Sequence, residues 1–306
     1  MKVTVRTLTL GWLLLAAPLF AQLPDNYRQL SGVEKQKALW TEILRTPWRA
    51  TPESTLPALD GAGWGNIWTK LGAAFTLGKS FDHPADELPE GREKIIHKYG
   101  NTFPFTWMGE PGHNYTGLYR ATVPGVGRLS LASDPTGGSY TPGAAFKLLP
   151  DHAESVNFVV MHSVNGQGDD WNFFAKEFST WIPPAKGWML KLVELVFARA
   201  KKEPNRVGIS RLAKIQQDGS EAAQPISPDH LILVPTASVA NLIHSESRED
   251  FRDQLATIPA GTEIYEVYAV EATGQFRTLV AKIITEAEML PSRYGDKQLF
   301  FRHQRQ

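Results

Sequence analysis

The sequence predicts an α+β protein in which a mostly antiparallel β-barrel carries flanking helices and the mature chain forms a single domain. Between residues 95 and 164, short apolar runs alternate with turns rich in Gly, Pro, Asp and Asn, a pattern typical of barrels and sandwiches. Amphipathic helical segments interrupt the strands. The chain shows no internal repeat, low-complexity tract or interdomain linker, which favours one core.

The first residues have the parts of a secretory signal peptide. Lys2 and Arg6 supply positive charge, residues 10–20 are apolar, and Ala21 offers a cleavage point. The apolar run is too short for a comfortable membrane span. We therefore expect residues 1–21 to be a signal peptide, and the mature protein to be periplasmic or secreted with no membrane span.

The net charge and the cysteine content limit which binding partners and ligation chemistries the protein can have. Without Lys2 and Arg6 the chain carries 30 basic and 32 acidic residues, which argues against nucleic acid or an anionic membrane as the main partner. The sequence contains no cysteine, so disulfides and thiolate ligation of a metal or haem are excluded. An exported chain without disulfides fits a bacterial periplasmic or secreted protein.

Residues 22–306 are expected to form the single domain, beginning with a helical arm over about 22–88. Apolar spacing predicts a helix at 25–45 and an apolar stripe at 60–78, and core packing is the simplest role for that stripe. The following apolar runs predict strands, which we place at 103–108, 117–121, 127–132, 144–149 and 156–161.

The second half alternates between helical and strand patterns. Asp169 and Asp170 predict the start of a helix that reaches Trp181, and a second helix is predicted at 187–202. A turn at Asp218-Gly219 and a short helix at 248–256 are also expected. The remaining strands are predicted at 208–215, 231–234, 263–270, 276–284 and 298–301.

Three residues form the one grouping that suggests acid–base chemistry beside an anion. His97 follows two isoleucines and so stands at the end of a short apolar run, while Arg128 and Ser130 are two residues apart and share one face of a strand. A simpler interpretation stays open, in which His97 bonds to backbone and Arg128 pairs with a carboxylate. No glycine-flanked serine elbow surrounds Ser130, which disfavours a hydrolase nucleophile.

The motifs around these residues resemble the core of the haem catalase superfamily. His97-Lys98-Tyr99-Gly100, Arg128-Leu129-Ser130 and the stretch 143–147 (GAAFK) occur in the family's order with similar spacing. The resemblance extends loosely from about residue 88 to the end of the chain. It implies a catalase-like β-barrel, a bound haem, and activity on hydrogen peroxide or organic hydroperoxides.

The resemblance also implies roles for individual residues. His97 corresponds to the distal histidine that moves a peroxide proton, Ser130 to the hydroxyl that orients it, and Arg128 to the arginine that pairs with a haem propionate. The family's distal asparagine falls near Met161 or His162. The family's proximal tyrosine lies on a helix beyond the barrel, and Tyr294 only superficially echoes its motif, so no axial ligand is assigned.

Two functions follow. The first is an exported haem protein with peroxidase- or catalase-like activity. The alternative is a catalase-like barrel without haem that binds an apolar or lipid-like ligand, since nine Trp and fifteen Phe suit an apolar cavity as well as a core. No histidine spacing suggests a protein-only metal site. If the resemblance holds, His97 and Ser130 should lie on neighbouring strands and face one interior pocket.

Overall fold

The computed structural model describes residues 23–45, 99–131, 142–162, 173–180, 204–240, 251–271 and 276–291, together with 299 and 301. The predicted signal peptide at 1–21, the apolar stripe at 60–78 and the predicted helix at 187–202 lie outside the described residues, and so does His97. Within the described part, no helix is both long and apolar enough to cross a membrane.

The strands form one antiparallel sheet that closes into a barrel. The strands β2 to β8 pair in chain order, β8 pairs with β1, and β1 pairs with β2 to close a ring of eight. The short strand β9 pairs with residues 101–102 of β1. The predicted single-domain antiparallel barrel with flanking helices is confirmed. The strands are β1 (Tyr99–Gly109), β2 (Thr122–Leu131), β3 (Pro142–Leu148), β4 (Val156–His162), β5 (Phe178–Ser179), β6 (His230–Pro235), β7 (Glu263–Val270), β8 (Arg277–Thr285) and β9 (Leu290–Pro291).

Aromatic side chains fill the lumen. Phe103, Phe105, Phe146 and Phe158 are fully buried, and the Phe146 ring lies 5.1–6.5 Å from the other three between centroids. Gly127 faces this cluster, where an added Cβ would come within 2.7 Å of the Phe103 ring. Small eight-stranded barrels are commonly filled by their own side chains.

Three helices pack outside the barrel: α1 (Gly32–Arg45), α2 (Pro204–Lys214) and α3 (Phe251–Leu255). Two 3₁₀ turns occur at Tyr27–Gln29 and Gly117–Arg120. Leu39 and Ile43 of α1 pack with Val126 on the outer face of β2. The buried Lys35 ammonium donates to the Pro150 carbonyl at 2.7 Å, so α1 is also held at the β3–β4 turn.

Several predicted elements are wrong. The expected strand at 117–121 is a 3₁₀ turn, because Gly117 has φ +65° and cannot continue a strand. The expected strand at 208–215 belongs to α2, where Ile209, Leu212 and Ala213 recur at helical spacing and are buried. The helix expected to reach Trp181 does not cover Phe178 and Ser179, which form β5.

Candidate functional site

Arg128 and Ser130 lie on the same face of β2, as predicted, and both are buried at 3% and 6% exposure. Their neighbours Leu129 and Leu131 belong to the lumen cluster. Successive residues of a strand face opposite sides, so Arg128 and Ser130 face outward from the barrel. The lumen side of β2 is taken by leucine and glycine, so a pocket shared by Ser130 and His97 would have to lie on the outer face, and that pairing stays a prediction because His97 is outside the described residues.

Small residues on the neighbouring strands leave room for the arginine. Gly100 of β1 is paired with Ser130, and an added Cβ there would meet the Arg128 guanidinium at 2.8–2.9 Å and the Leu129 carbonyl at 2.4 Å. On β3, Ala145 is paired with Arg128. The guanidinium thus lies against Gly100, in a position that any larger residue at 100 would disturb.

Thr102 contributes a buried hydroxyl to the same surface. It is paired with Arg128 across the β1–β2 ladder and is 1% exposed. Its Oγ1 has no hydrogen-bond partner in the described part of the chain. Buried hydroxyls are normally bonded because leaving one unpaired costs free energy, so this atom marks a position where a further polar group would be stabilising.

A second buried cation lies on the next strand. Lys147 of β3 is 2% exposed, and its ammonium donates to the Ser155 hydroxyl at 3.1 Å. It lies two residues beyond Ala145, the partner of Arg128, so both cations are on the outer face. We call the outward-facing set of Gly100, Thr102, Arg128, Ser130, Ala145 and Lys147 the outer-wall patch.

The remaining residues named by the catalase resemblance are only partly placed. His97 and Tyr294 lie outside the described residues, so their position relative to the outer-wall patch stays a prediction. Met161 is on the outer face of β4, paired with Gly143, and His162 ends the strand. The assignment of either residue to the family's distal asparagine position is not tested by this geometry.

No protein-family model matches the sequence, and no curated protein matches it. The outer-wall patch must therefore be judged by its own chemistry. A planar guanidinium suits a carboxylate, and the Thr102 Oγ1 beside it can donate a further bond, so these residues fit the carboxylate edge of a haem. Among the described residues, no group of three or more His, Asp or Glu could hold a metal ion.

A second polar cluster at one end of the barrel escaped the sequence analysis. Tyr115 donates a short hydrogen bond to the Glu271 carboxylate, and burial raises the pKa of Tyr115 above its usual range, with Glu271 adding to the effect. The His113 ring lies 5.3 Å from the Tyr115 ring, and its Nε2 lies 3.1 Å from the Tyr119 carbonyl. His113 lies in the loop between β1 and the 3₁₀ turn at Gly117–Arg120, and nothing in the sequence connects it with Glu271.

The ring of His113 bonds to the Tyr119 carbonyl, which can only accept, so Nε2 carries a proton and donates this bond. Nδ1 is buried without a hydrogen-bond partner in the described structure. Nearby, burial lowers the pKa of the half-buried His230, against the opposing charges of Asp229 and Glu271.

Proposed function

We propose that the outer-wall patch binds the propionate edge of a haem and that the protein is an exported, catalase-like haem protein acting on hydrogen peroxide or an organic hydroperoxide. The observation that carries the proposal is the placement of Arg128, a buried cation packed against Gly100 beside the Thr102 hydroxyl, which has no hydrogen-bond partner in the described part of the chain. A planar guanidinium presents parallel N–H donors that match a carboxylate. A propionate placed here could also accept a bond from Thr102 Oγ1, which has no partner among the described residues.

The chain's own residues divide the work. Arg128 would hold a propionate, and Thr102 Oγ1 would donate to the same carboxylate. His97 would accept a peroxide proton and return it, oriented by the Ser130 hydroxyl. The haem would supply the iron-centred redox chemistry, which no side chain can provide.

Titration of the purified protein with haem, followed by its absorption spectrum, tests the binding. We expect a Soret band, and we expect Arg128→Ala to weaken haem retention more than it lowers turnover per bound haem. Arg277→Ala is the matched control, since Arg277 at the start of β8 carries a half-exposed guanidinium that pairs with Glu177. The absence of a Soret band in the wild-type protein, or equal weakening by both variants, would overturn the proposal.

Peroxide turnover tests the acid–base role separately. Positioned acid–base groups typically contribute roughly 10²–10⁴-fold, so His97→Ala should lower the rate by about that factor while the Soret band stays. Ser130→Ala should have a milder effect, since Ser130 acts only through His97. Full turnover by His97→Ala with haem bound would remove this role.

The alternative function, an apolar ligand held without haem, has less support. The most obvious apolar space of a barrel is its lumen, and here aromatic rings pack against one another across it. An apolar ligand would therefore need a different surface. A wild-type protein that shows no Soret band but binds an apolar fluorophore would favour this alternative.

A further inference from the structure

A series of three aromatic side chains leads from the lumen towards one end of the barrel, each ring in contact with the next: Trp107, Tyr119 and Tyr115. The ring centroids of Trp107 and Tyr119 are 6.3 Å apart, and those of Tyr119 and Tyr115 are 5.9 Å apart. Trp107 and Tyr119 are fully buried, whereas Tyr115 is 8% exposed and bonds to the exposed Glu271. The series therefore connects the buried interior with the protein surface through side chains that can lose one electron.

The hydrogen-bond partners of the three side chains differ in basicity. Trp107 Nε1 donates to the Leu118 carbonyl at 2.9 Å, and the Tyr119 hydroxyl donates to the Ile209 carbonyl at 3.2 Å. A peptide carbonyl accepts a hydrogen bond but is too weak a base to take the proton. Tyr115 alone of the three donates to a carboxylate, which can take the proton.

This difference matters because a tyrosine that loses an electron becomes a strong acid. The neutral radical forms readily only where a base receives the phenolic proton. Within the described residues the Tyr119 hydroxyl meets only the Ile209 carbonyl and no such base, so Tyr119 can pass an electron but does not stabilise the oxidised state. Tyr115 has both the ring contact and the base.

A second phenol–carboxylate pair provides an internal comparison. Tyr268 donates to Glu266 Oε2 at 2.7 Å, and that bond, with burial adding to it, raises the pKa of Tyr268 to about 12. In the described part of the chain, Tyr268 has no aromatic ring contact. Tyr268 therefore has a carboxylate base of its own, as Tyr115 does, but it has no ring contact that leads to Trp107.

We propose that Trp107, Tyr119 and Tyr115 form an electron-transfer chain whose end point is Tyr115, with Glu271 as the proton acceptor. A one-electron oxidant, such as a peroxide-derived radical, takes an electron from Trp107 and is itself reduced. The resulting Trp107 radical cation then gains one electron and returns to neutral tryptophan. Tyr115 supplies that electron by way of Tyr119, and the Tyr115 phenolic proton moves to the Glu271 carboxylate, which becomes the carboxylic acid. The product is a neutral Tyr115 radical near the surface, where a small phenolic or ascorbate-type reductant would restore it.

This activity goes beyond the proposed haem site, and its test needs no haem. The sequence contains no cysteine, so Thr122→Cys would provide a single thiol for a ruthenium polypyridyl photosensitiser. Thr122 is exposed, and its neighbour Val123 is paired with Trp107. Excitation followed by quenching with an external electron acceptor generates ruthenium(III), the one-electron oxidant.

Transient absorption would then follow the tryptophan and tyrosine radicals. With the other residues unchanged, we expect an early tryptophan radical that converts to a long-lived tyrosyl radical. Tyr115→Phe, which removes one oxygen and keeps the ring, should abolish the long-lived signal. Glu271→Gln keeps an acceptor oxygen but removes the base, and should slow tyrosyl formation on the order of 10²-fold, the low end for a positioned proton acceptor.

Tyr268→Phe is the matched control and should leave both signals unchanged. The proposal is wrong if Tyr115→Phe keeps the wild-type tyrosyl signal, if Glu271→Gln forms it at the wild-type rate, or if Tyr268→Phe removes it. Should Tyr115→Phe fail to fold, the exposed Glu271→Gln variant carries the test by itself. None of these outcomes depends on whether haem binds.

Discussion

The two faces of the barrel wall are buried to a similar degree but carry opposite chemistry. On β2 and β3 the lumen side presents Leu129 and Phe146, while the outer side presents Arg128 and Lys147, each within one residue of a lumen-facing neighbour. The hydrophobic effect accounts for the lumen, because removing aromatic surface from water is favourable. It does not account for the outer-wall patch.

Burial of Arg128 and Lys147 needs a separate explanation. Taking a charge out of water costs roughly several kcal/mol per ion, even after the protein relaxes. A fold that needed only stability could place apolar residues at both positions. The contrast between the two faces is therefore between aromatic packing in the lumen and buried, hydrogen-bonding cations on the outer wall, where Lys147 donates to the Ser155 hydroxyl.

The largest expected effect comes from breaking the lumen. Phe146→Ala removes a ring that contacts Phe103, Phe105 and Phe158 and should lower the free energy of unfolding by about 3–5 kcal/mol. Urea denaturation followed by circular dichroism would measure the loss. Phe276→Ala is the control, since that ring is 73% exposed, and it should change stability little; equal losses would mean that the lumen is not the core.

The next effect concerns the glycine beneath Arg128. Gly100→Ala would bring a Cβ within 2.4 Å of the Leu129 carbonyl and 2.8 Å of the Arg128 guanidinium. Because a backbone oxygen cannot move aside easily, we expect a destabilisation of about 1–3 kcal/mol together with a weaker Soret band on haem titration.

Gly112→Ala provides the matched comparison. An added Cβ at Gly112 meets nothing within 4 Å, so this variant should keep wild-type stability and wild-type haem titration. If Gly100→Ala loses stability but retains haem fully, the guanidinium position is a packing feature and not part of a ligand site.

The sequence predicted the barrel well where local patterns determine the fold. β3 (Pro142–Leu148) nearly coincides with the strand expected at 144–149. β2 (Thr122–Leu131) includes most of the strand expected at 127–132 but begins earlier, at Thr122. The predictions failed where spacing was ambiguous. Ile209, Leu212 and Ala213 fit a helix as well as a short apolar strand, and only packing of α2 against β4, with Gly208 close to the Asn157 carbonyl, decides between them.

Only part of the candidate site could be predicted from the sequence, for a similar reason. Spacing placed Arg128 and Ser130 on one face, but which face lines the lumen depends on how all eight strands close, and one sequence segment cannot determine that. The Tyr115–Glu271 pair was not predictable at all. Those residues are 156 positions apart, and neither lies in a motif.

Thr102→Val sharpens the contrast with a smaller effect of opposite sign. Thr102 Oγ1 is buried without a partner among the described residues, so replacing the hydroxyl by a methyl should stabilise the protein by about 1 kcal/mol. The same change should weaken haem binding if Oγ1 donates to a propionate. Thr122→Val, at an exposed position on the same barrel wall, should do neither, whereas a Thr102→Val variant that loses stability would show that the hydroxyl is satisfied in solution.

The smallest effect concerns α1, which covers Val126 on the outer wall. Glu34 accepts from the Ser31 N–H at 2.9 Å and the Ser31 hydroxyl at 2.8 Å, and these bonds lower the pKa of Glu34. Together with the Glu34 N–H donating to Ser31 Oγ at 3.3 Å, they form a capping box at the helix start.

A lowered pKa means that the ionised form is favoured in the folded state. Its stabilisation is present above the ordinary value of 4.5 and is lost as the pH falls through the lower folded-state pKa. Glu34→Gln can keep the bonds of the capping box but cannot titrate, so its stability should decline less than that of the wild type below about pH 4.5. Urea midpoints measured from pH 7 to pH 3 would reveal the difference, and parallel curves for the two proteins would show that the cap does not hold α1 against the wall in solution.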